Sequence, residues 1–596
     1  MNPFLLTDFY KLTHILQYRP ELRELTSYLT PRGSRLKGVD KVVFFGLSAY
    51  VHSYVVKNFN DNFFNRPWWD SCNEVKEVLK EGLGYSDGMI FKTLDNLHAL
   101  HELGYLPVEI NAVAEGTLVP MGVPCVEIKS TNPQFFWVGQ ALEASLSAAI
   151  WHPMVSATIA REYRKIARGA FSATVENGID ERTAMCDFSM RGQESNESAV
   201  NASVAWLTSM WNSSTVAARK HIQNVYGKCE GNVRGLTSTE HSVMTSHACL
   251  DGGDEIPTFK YLFDLYKNVS FAAVCDSYDF WNVLTNILPN NFMKEIDERG
   301  KRGVFIGVRH DSAEPVDALC GTVPVLHADS VKRIPKDMLE DGTKFECITL
   351  TFTEEEANNL WKQGFREGNL VAVMCDGEEY LVCIRAVEHL RSIDETVDKN
   401  CPTMWASGVL QNRSRTWKEK GMVETMYEIF GGTVNSKGYK VLNPGIKAVY
   451  GDSITITRAK KIYERLAAKG FAANNVSLGV GSFSFQALEN EDGTLSPFTR
   501  DTFSVAIKCT HSKYVDEYGT VCERHVFKDP KGFISKKSQK GLCRIFFNEH
   551  GELTYEDELY ERDLVGKNSA FVPYFKNGQM TKYSFESVRE TIDENL

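Results

Sequence analysis

"IKAVYGDSITITRAKKIYERLAAKGFAANNVSLGVGS", residues 446–482, decides the fold. It opens with an apolar, β-branched run that stops at Gly451, Asp452 and Ser453. It closes with a second apolar run, "VSLGVGS" (Val476 to Ser482), that stops at glycines. Between them, "ITITRAKKIYERLAAKG" has the spacing of an amphipathic helix, with Gly470 as its C-terminal stop. Strand, helix and strand in that order make a βαβ unit, whose two strands run parallel. An unbroken apolar strand suits a sheet covered on both faces.

Working outward, two earlier runs end in the same way: "FAAVCDSYD" (Phe271 to Asp279) and "GVFIGVRHDS" (Gly303 to Ser312). "AMCDFSMRGQ" (Ala184 to Gln193) and "GLTSTEHS" (Gly235 to Ser242) read as two more loops at strand ends. Polar groups gathered at the C-terminal ends of successive parallel strands are the layout of an α/β-barrel active site. The four tips carry Asp276, Asp279, Arg309, Asp311, Gly451, Asp452, Gly479 and Gly481. Acids, an arginine and backbone-exposing glycines are what a sugar with several phosphates and a divalent cation requires.

The predicted organisation is a TIM-like α/β barrel with additions. Residues 1–150 form a mixed α/β part that packs with the C-terminal part, 516–596. The barrel comes in two pieces, 151–325 and 421–515, and 326–420 is an inserted α+β segment. "VEINAVAEGTLVPMGVPCVEIKS" (Val108 to Ser130) is a series of short strands turning at Glu115-Gly116 and Met121-Gly122. A helix is expected from Pro153 to Phe171. In the insert, "KFECITLTF" (Lys344 to Phe352) is a strand, and Thr353 with Glu356 forms a capping box. "LVAVMCDGEEYLVCIRAV" (Leu370 to Val387) is a hairpin turning at Asp376-Gly377. Asn577-Gly578 signals another hairpin.

Composition narrows the function class. A chain of 596 residues exceeds one ordinary core. Its 43% hydrophobic and 24% charged residues fit a globular protein rather than a disordered one. A net charge of -11 gives no global basic footprint for nucleic acid. There is no basic leader followed by an apolar core and no 18-residue apolar stretch, so neither secretion nor membrane binding is expected. The 14 cysteines are scattered without a Cys-x-x-Cys, which reads as reduced thiols and a cytoplasmic setting. No P-loop pattern occurs.

Each tip has a plainer reading beside the functional one. Asp276 or Asp279 can be a helix cap rather than a ligand to Mg²⁺ or ribose. Arg309 can grip phosphate, or pair structurally with Asp311. "GVGS" offers backbone N–H groups to a phosphate, or is only a turn. His241, beside Glu240 in "TSTEHS", can be a base or nucleophile, or half of a surface pair. The run holding Lys528, Lys531, Lys536, Lys537 and Lys540 can meet a polyphosphate, or be a solvated face.

Together, "TDFYKLTH" (Thr7 to His14), "LPVEINAVAEG" (Leu106 to Gly116), "DFSMRG" (Asp187 to Gly192), "EHS" (Glu240 to Ser242), "DSYD", "RHDS", "GDS", "TRD" (Thr499 to Asp501), "VFKDP" (Val526 to Pro530) and "FKNG" (Phe575 to Gly578) resemble the type II pyridine phosphoribosyltransferase family, in its nicotinamide branch. The resemblance spans the chain, with 326–420 as an extra segment. It implies attack of the pyridine nitrogen of nicotinamide on C1 of phosphoribosyl pyrophosphate with Mg²⁺, giving the mononucleotide in NAD salvage. It implies a homodimer with active sites at the subunit interface. The base would be stacked between Phe188 and Tyr10 of the partner subunit, with Asp8 beside Tyr10 and Arg191 near the base and 5′-phosphate. Arg309, Asp311, Gly451 and Asp452 match the ribose and phosphate site, and Gly481 and Ser482 a phosphate-binding tip. Arg32, Arg500, Lys508 and Lys528 match basic groups reaching the phosphates across the dimer. His241 matches the histidine phosphorylated by the co-substrate ATP. Asp276 and Asp311 are the catalytic and metal-binding candidates.

The chain departs from the family pattern in places. Ser214 stands where an Asp accepts from the carboxamide, and Ala272 where a Ser lies near the same amide. A hydroxyl suits a carboxylate better than an Asp does, because two anions repel. Nicotinate is therefore the alternative base, and a non-catalytic ligand-binding homologue the alternative class. "DFGYRG" becomes "DFSMRG", and "RPDSG" becomes "RHDSA" through Ala313.

Overall fold

The computed structural model describes residues 1–228, 233–328, 330–334, 347–352, 368–389, 404–451, 453–490, 493–530 and 538–596. Asp452, the capping box at Thr353 and Glu356, and Lys531, Lys536 and Lys537 lie outside the described residues. The chain divides into two units. One contains residues 1–165, 186–235 and 480–596, and the other 166–185 and 236–479.

The second unit holds the four quoted strands, Phe271–Val274, Ile306–His310, Ile446–Tyr450 and Val476–Val480, the last of them as far as Gly479. They are parallel neighbours, in register from Phe271↔Ile306 through Ile306↔Ile446 to Ala448↔Val476. This is the open parallel sheet of a half-barrel, so the chain is an α/β protein of the expected kind. All four residues of Phe271–Val274 are completely buried. Burial on both faces explains the lack of polar alternation, and the Phe271 and Val274 side chains contribute about 1.5–3 kcal/mol each. Helix Ile456–Ala468 links the last two strands, capped by the Thr455 side chain and stopped at Gly470. Arg299 secures the opposite ends of the strands. It is fully buried, donates to the carbonyls of Tyr266, Val269 and Phe305, and lies 4.9 Å over the Phe271 ring.

The inserted segment builds a six-stranded sheet in the same unit. Cys347–Phe352 is a strand as expected, and Leu370–Cys375 with Glu378–His389 is the expected hairpin. Its turn places Asp376 at φ 50° and Gly377 at φ 81°, the left-handed pair that a two-residue loop requires. Val371, Val373, Val382 and Ile384 pack on one face, and Ala372 and Leu381 on the other. Arg415 ties this segment to the half-barrel. Its side chain, 2% exposed, donates to both oxygens of Glu379 in the hairpin and both of Glu424 in helix Met422–Phe430.

In the first unit, both chain ends share one seven-stranded antiparallel sheet. Its order is Val521–His525, Ala506–Val515, Leu22–Thr30, Val126–Ser130, Val108–Ala112, Val572–Lys576 and Gln579–Met580. The expected turns at Gly116, Gly122 and Asn577-Gly578 are present. The helix expected from Pro153 instead runs from Glu143 to Thr174. Pro favours a first helical turn, but Pro153 lies inside this helix, against Gly46. Among the described residues, no helix is long and apolar enough to cross a membrane.

Candidate active site

Strand Phe271–Val274 delivers Asp276 to a tip where its carboxylate is 4% exposed. Oδ2 accepts from the Asp311 amide at 2.9 Å and the Ser312 hydroxyl at 2.5 Å, and Oδ1 faces His241 Nε2 at 3.3 Å. Burial alone pushes the carboxyl up, but the donors from Ser312 and Asp311 and the nearby histidines outweigh it. The group is held below the usual aspartate range. Helix capping falls instead to Asp279, which accepts from the Asn282 amide at 3.1 Å.

The next tip is built on Arg309. Its fork grips Asp311 through two bonds, Nε to Oδ1 at 2.9 Å and a terminal nitrogen to Oδ2 at 2.6 Å. It also donates to Ser238 Oγ at 3.2 Å. Gly451, on the adjoining tip, faces this pair. A Cβ there would lie 2.2 Å from Arg309 Nε and 2.4 Å from Asp311 Oδ1, so only glycine lets the fork pass. His241 is the first residue of helix His241–Leu250 and is half exposed. Arg309, Asp311, Asp276 and His241 thus form one chain of hydrogen bonds, joined through the Asp311 backbone. Ala272 is buried in its strand, bonded to the backbone of Thr237 and Thr239.

In the first unit, Asp187 is a buried hub. It accepts from the Ser189 amide and from the hydroxyls of Ser203 and Ser213, and its own carbonyl accepts from the Ser214 amide. The exposed Ser214 and the half-buried Phe188 therefore flank a fixed point. The Phe188 amide donates to the Val480 carbonyl at 2.9 Å, and a Cβ on Gly192 would meet Ser482 Oγ at 2.1 Å. Phe188, Arg191, Gly481 and Ser482 consequently share one loop cluster.

Asp8, Tyr10 and Arg500 line a cavity of about 680 Å³. Tyr10 is 57% exposed. Lys508 is brought near Arg32, Lys11 and Lys528: burial lowers its ammonium first, and those three cations lower it further against the pull of Glu143. Arg32 donates to the Ser504 carbonyl, and Arg500 pairs with Asp501. Lys11 and Glu143, which pair with each other, escape sequence reasoning although Lys11 sits inside "TDFYKLTH". His310, Ser312 and Glu255 escape it too. One Glu255 carboxylate oxygen is buried without a hydrogen-bond partner, and burial followed by Asp254 and Asp279 raises the group to about 7. Among the described residues, no group of three or more His, Cys, Asp or Glu is arranged to hold a metal ion.

The family model described as the nicotinate phosphoribosyltransferase (NAPRTase) family matches residues 183–352 and 407–561. The nicotinamide phosphoribosyltransferase N-terminal domain matches residues 2–110. A nicotinamide phosphoribosyltransferase from Acinetobacter baylyi is 28% identical over 611 aligned positions, covering 100% of this chain and 98% of the relative. One from Mycoplasma pneumoniae is 26% identical, covering 86% and 90%. The crystal structure of human nicotinic acid phosphoribosyltransferase aligns at 15% identity with a TM-score of 0.46, over 99% of this chain and 93% of that one.

Proposed function

The chain belongs to the nicotinate phosphoribosyltransferase family, and from that premise we propose that it transfers phosphoribose to nicotinamide in NAD salvage. The bond chain Arg309–Asp311–Asp276–His241, set on parallel strand ends, is the observation that carries this reading. The choice of nicotinamide follows the names of the full-length relatives and the N-terminal domain match.

In the proposed reaction the pyridine nitrogen's lone pair forms the bond to C1 of phosphoribosyl pyrophosphate. The C1–O bond breaks, and its electron pair leaves with pyrophosphate. No proton moves, so positioning carries the rate. Positive charge develops on the ribose and negative charge on the leaving group. Asp311 and Asp276 suit the first, and Arg309 and the cluster of Arg32, Arg500, Lys508 and Lys528 suit the second. Phe188 and Tyr10 of the partner subunit would stack the ring, with Asp8 and Ser214 near its substituent. Arg191, Gly451, Gly481 and Ser482 would hold the 5′-phosphate and ribose.

Mg²⁺ fits this site only as an ion carried in by the substrate. Asp276 and Asp311 are already hydrogen bonded, so they would add one or two oxygens to those of pyrophosphate. The ion would offset the charge of the leaving group.

ATP would phosphorylate His241. Its Nε2 faces Asp276, which leaves Nδ1 as the nitrogen whose lone pair attacks the γ-phosphorus while ADP departs. The Asp276 carboxylate then stabilises the positively charged, phosphorylated ring.

Nicotinate is the second reading, favoured by the exposed hydroxyl of Ser214 where the family's nicotinamide pattern has an acid. Supplying each base with phosphoribosyl pyrophosphate, with and without ATP, and measuring mononucleotide separates the two. Higher kcat/KM for nicotinate would reverse the choice of base. No product from either would leave only a ligand-binding role.

A further inference from the structure

Within the motif that carries Arg309 and Asp311, His310 is a buried ring with no part in the reaction above. It sits between two aromatic rings. Its centroid is 4.0 Å from that of Phe280, and it stacks on Tyr450 at 6.1 Å and 11°. Its Nδ1 lies 3.3 Å from the Ser312 amide, which donates to it. A side-chain acceptor at one residue taking the N–H two residues on is the bond an Asn or Asp makes in an Asx-turn.

The turn so formed, residues 310–313, carries both donors that fix Asp276 Oδ2, the Asp311 amide and the Ser312 hydroxyl. Its far end is held by the Tyr450 hydroxyl, which donates to the Ala313 carbonyl. With Oδ2 fixed, Oδ1 stays turned to His241 Nε2. Nδ1 of His310 is itself 3.7 Å from Asp276 Oδ2, beyond a good hydrogen bond, so its influence on the carboxylate passes through the turn.

We propose that His310 is a positioning residue that shapes the 310–313 turn as an Asx residue would, and thereby aims Asp276 at His241. The inference rests on the phosphohistidine reading of the same site. It separates from simple packing because the two roles need different parts of the ring: packing needs the aromatic face, positioning the lone pair. H310F keeps the face and loses the acceptor. H310N loses the face and keeps an acceptor at the Asx position.

The test is transfer of radiolabelled γ-phosphate from ATP to His241, measured alongside kcat and KM in the presence of ATP. H310F should lower phosphohistidine formation and kcat about tenfold, the loss expected from one hydrogen bond, with KM for the base little changed. H310N should stay within about twofold of the native enzyme, even if its melting temperature falls further than that of H310F. H310L replaces H310F if the larger ring does not fold. Native-like phosphorylation in H310F, or H310N as impaired as H310F, overturns the positioning role. Failure of the native protein to label at all overturns the phosphohistidine reading beneath it.

Discussion

Asp276 and Arg309, at the ends of the parallel strands, are enclosed and already bound to neighbours, whereas Tyr10, Arg500 and Lys528, in the unit built from both chain ends, stand open to solvent. The first group spends its hydrogen bonds on itself and is fixed before any ligand arrives. In the second, cations crowd Lys508 against one acid, Glu143. Under the proposed function, the contrast reads as a division of labour. A rigid centre suits charge that appears only during the reaction. An open group of cations would suit capture of a charged substrate from water.

That division can be attacked at four strengths. Asp276→Asn leaves shape intact but removes the charge facing His241, and turnover with ATP should fall about 10²–10³-fold. A loss confined to KM would make the centre merely a binding surface. Gly451→Ala thrusts a methyl into the Arg309–Asp311 fork, and kcat/KM for phosphoribosyl pyrophosphate should fall about 100-fold. Steady-state kinetics of a folded variant at native rates would show the fork is free to move.

Lys508→Ala should instead raise KM for phosphoribosyl pyrophosphate about tenfold with kcat nearly native, and added salt should shrink the difference. A lowered kcat would place Lys508 with the reacting centre and blur the contrast. The mildest effect concerns Glu255. Its folded pKa of about 7 exceeds that of the unfolded chain, so the unfolded state releases its proton first. Stability contributed by the protonated form is therefore present below the ordinary glutamate range and is lost as pH rises to about 7. Glu255→Gln should raise the melting temperature by a few degrees at about pH 8 and less at about pH 5. An equal gain at both would detach Glu255 from the titration.

The sequence made legible whatever is local and periodic. Four strands, the Ile456–Ala468 helix and the Asp376-Gly377 turn follow from apolar runs, capping and left-handed backbone needs. The tips followed because a barrel puts polar residues where strands stop. What stayed hidden depends on pairs far apart in the chain. Lys11 meets Glu143 across 132 positions, and neither has a distinctive local pattern. A helix taken to start at Pro153 misses the first turns of Glu143–Thr174, because proline marks starts more often than interiors. Glu255 stays hidden because its burial beside Asp279 and Cys275 comes from the fold, which no spacing rule reports.

Arg415 has a consequence for anyone who treats the inserted sheet as a detachable cassette. The seam between cassette and host runs through one guanidinium shared by Glu379 and Glu424, and Lys469 also leans on Glu424. Excising residues up to 418 would leave Glu424 enclosed with only Lys469 as counter-charge, a defect short of the about 3–5 kcal/mol for a buried charge with no partner. A cleaner graft would cut before Arg413 and replace Glu379 with an acid on the shortened linker, so that the guanidinium keeps two partners.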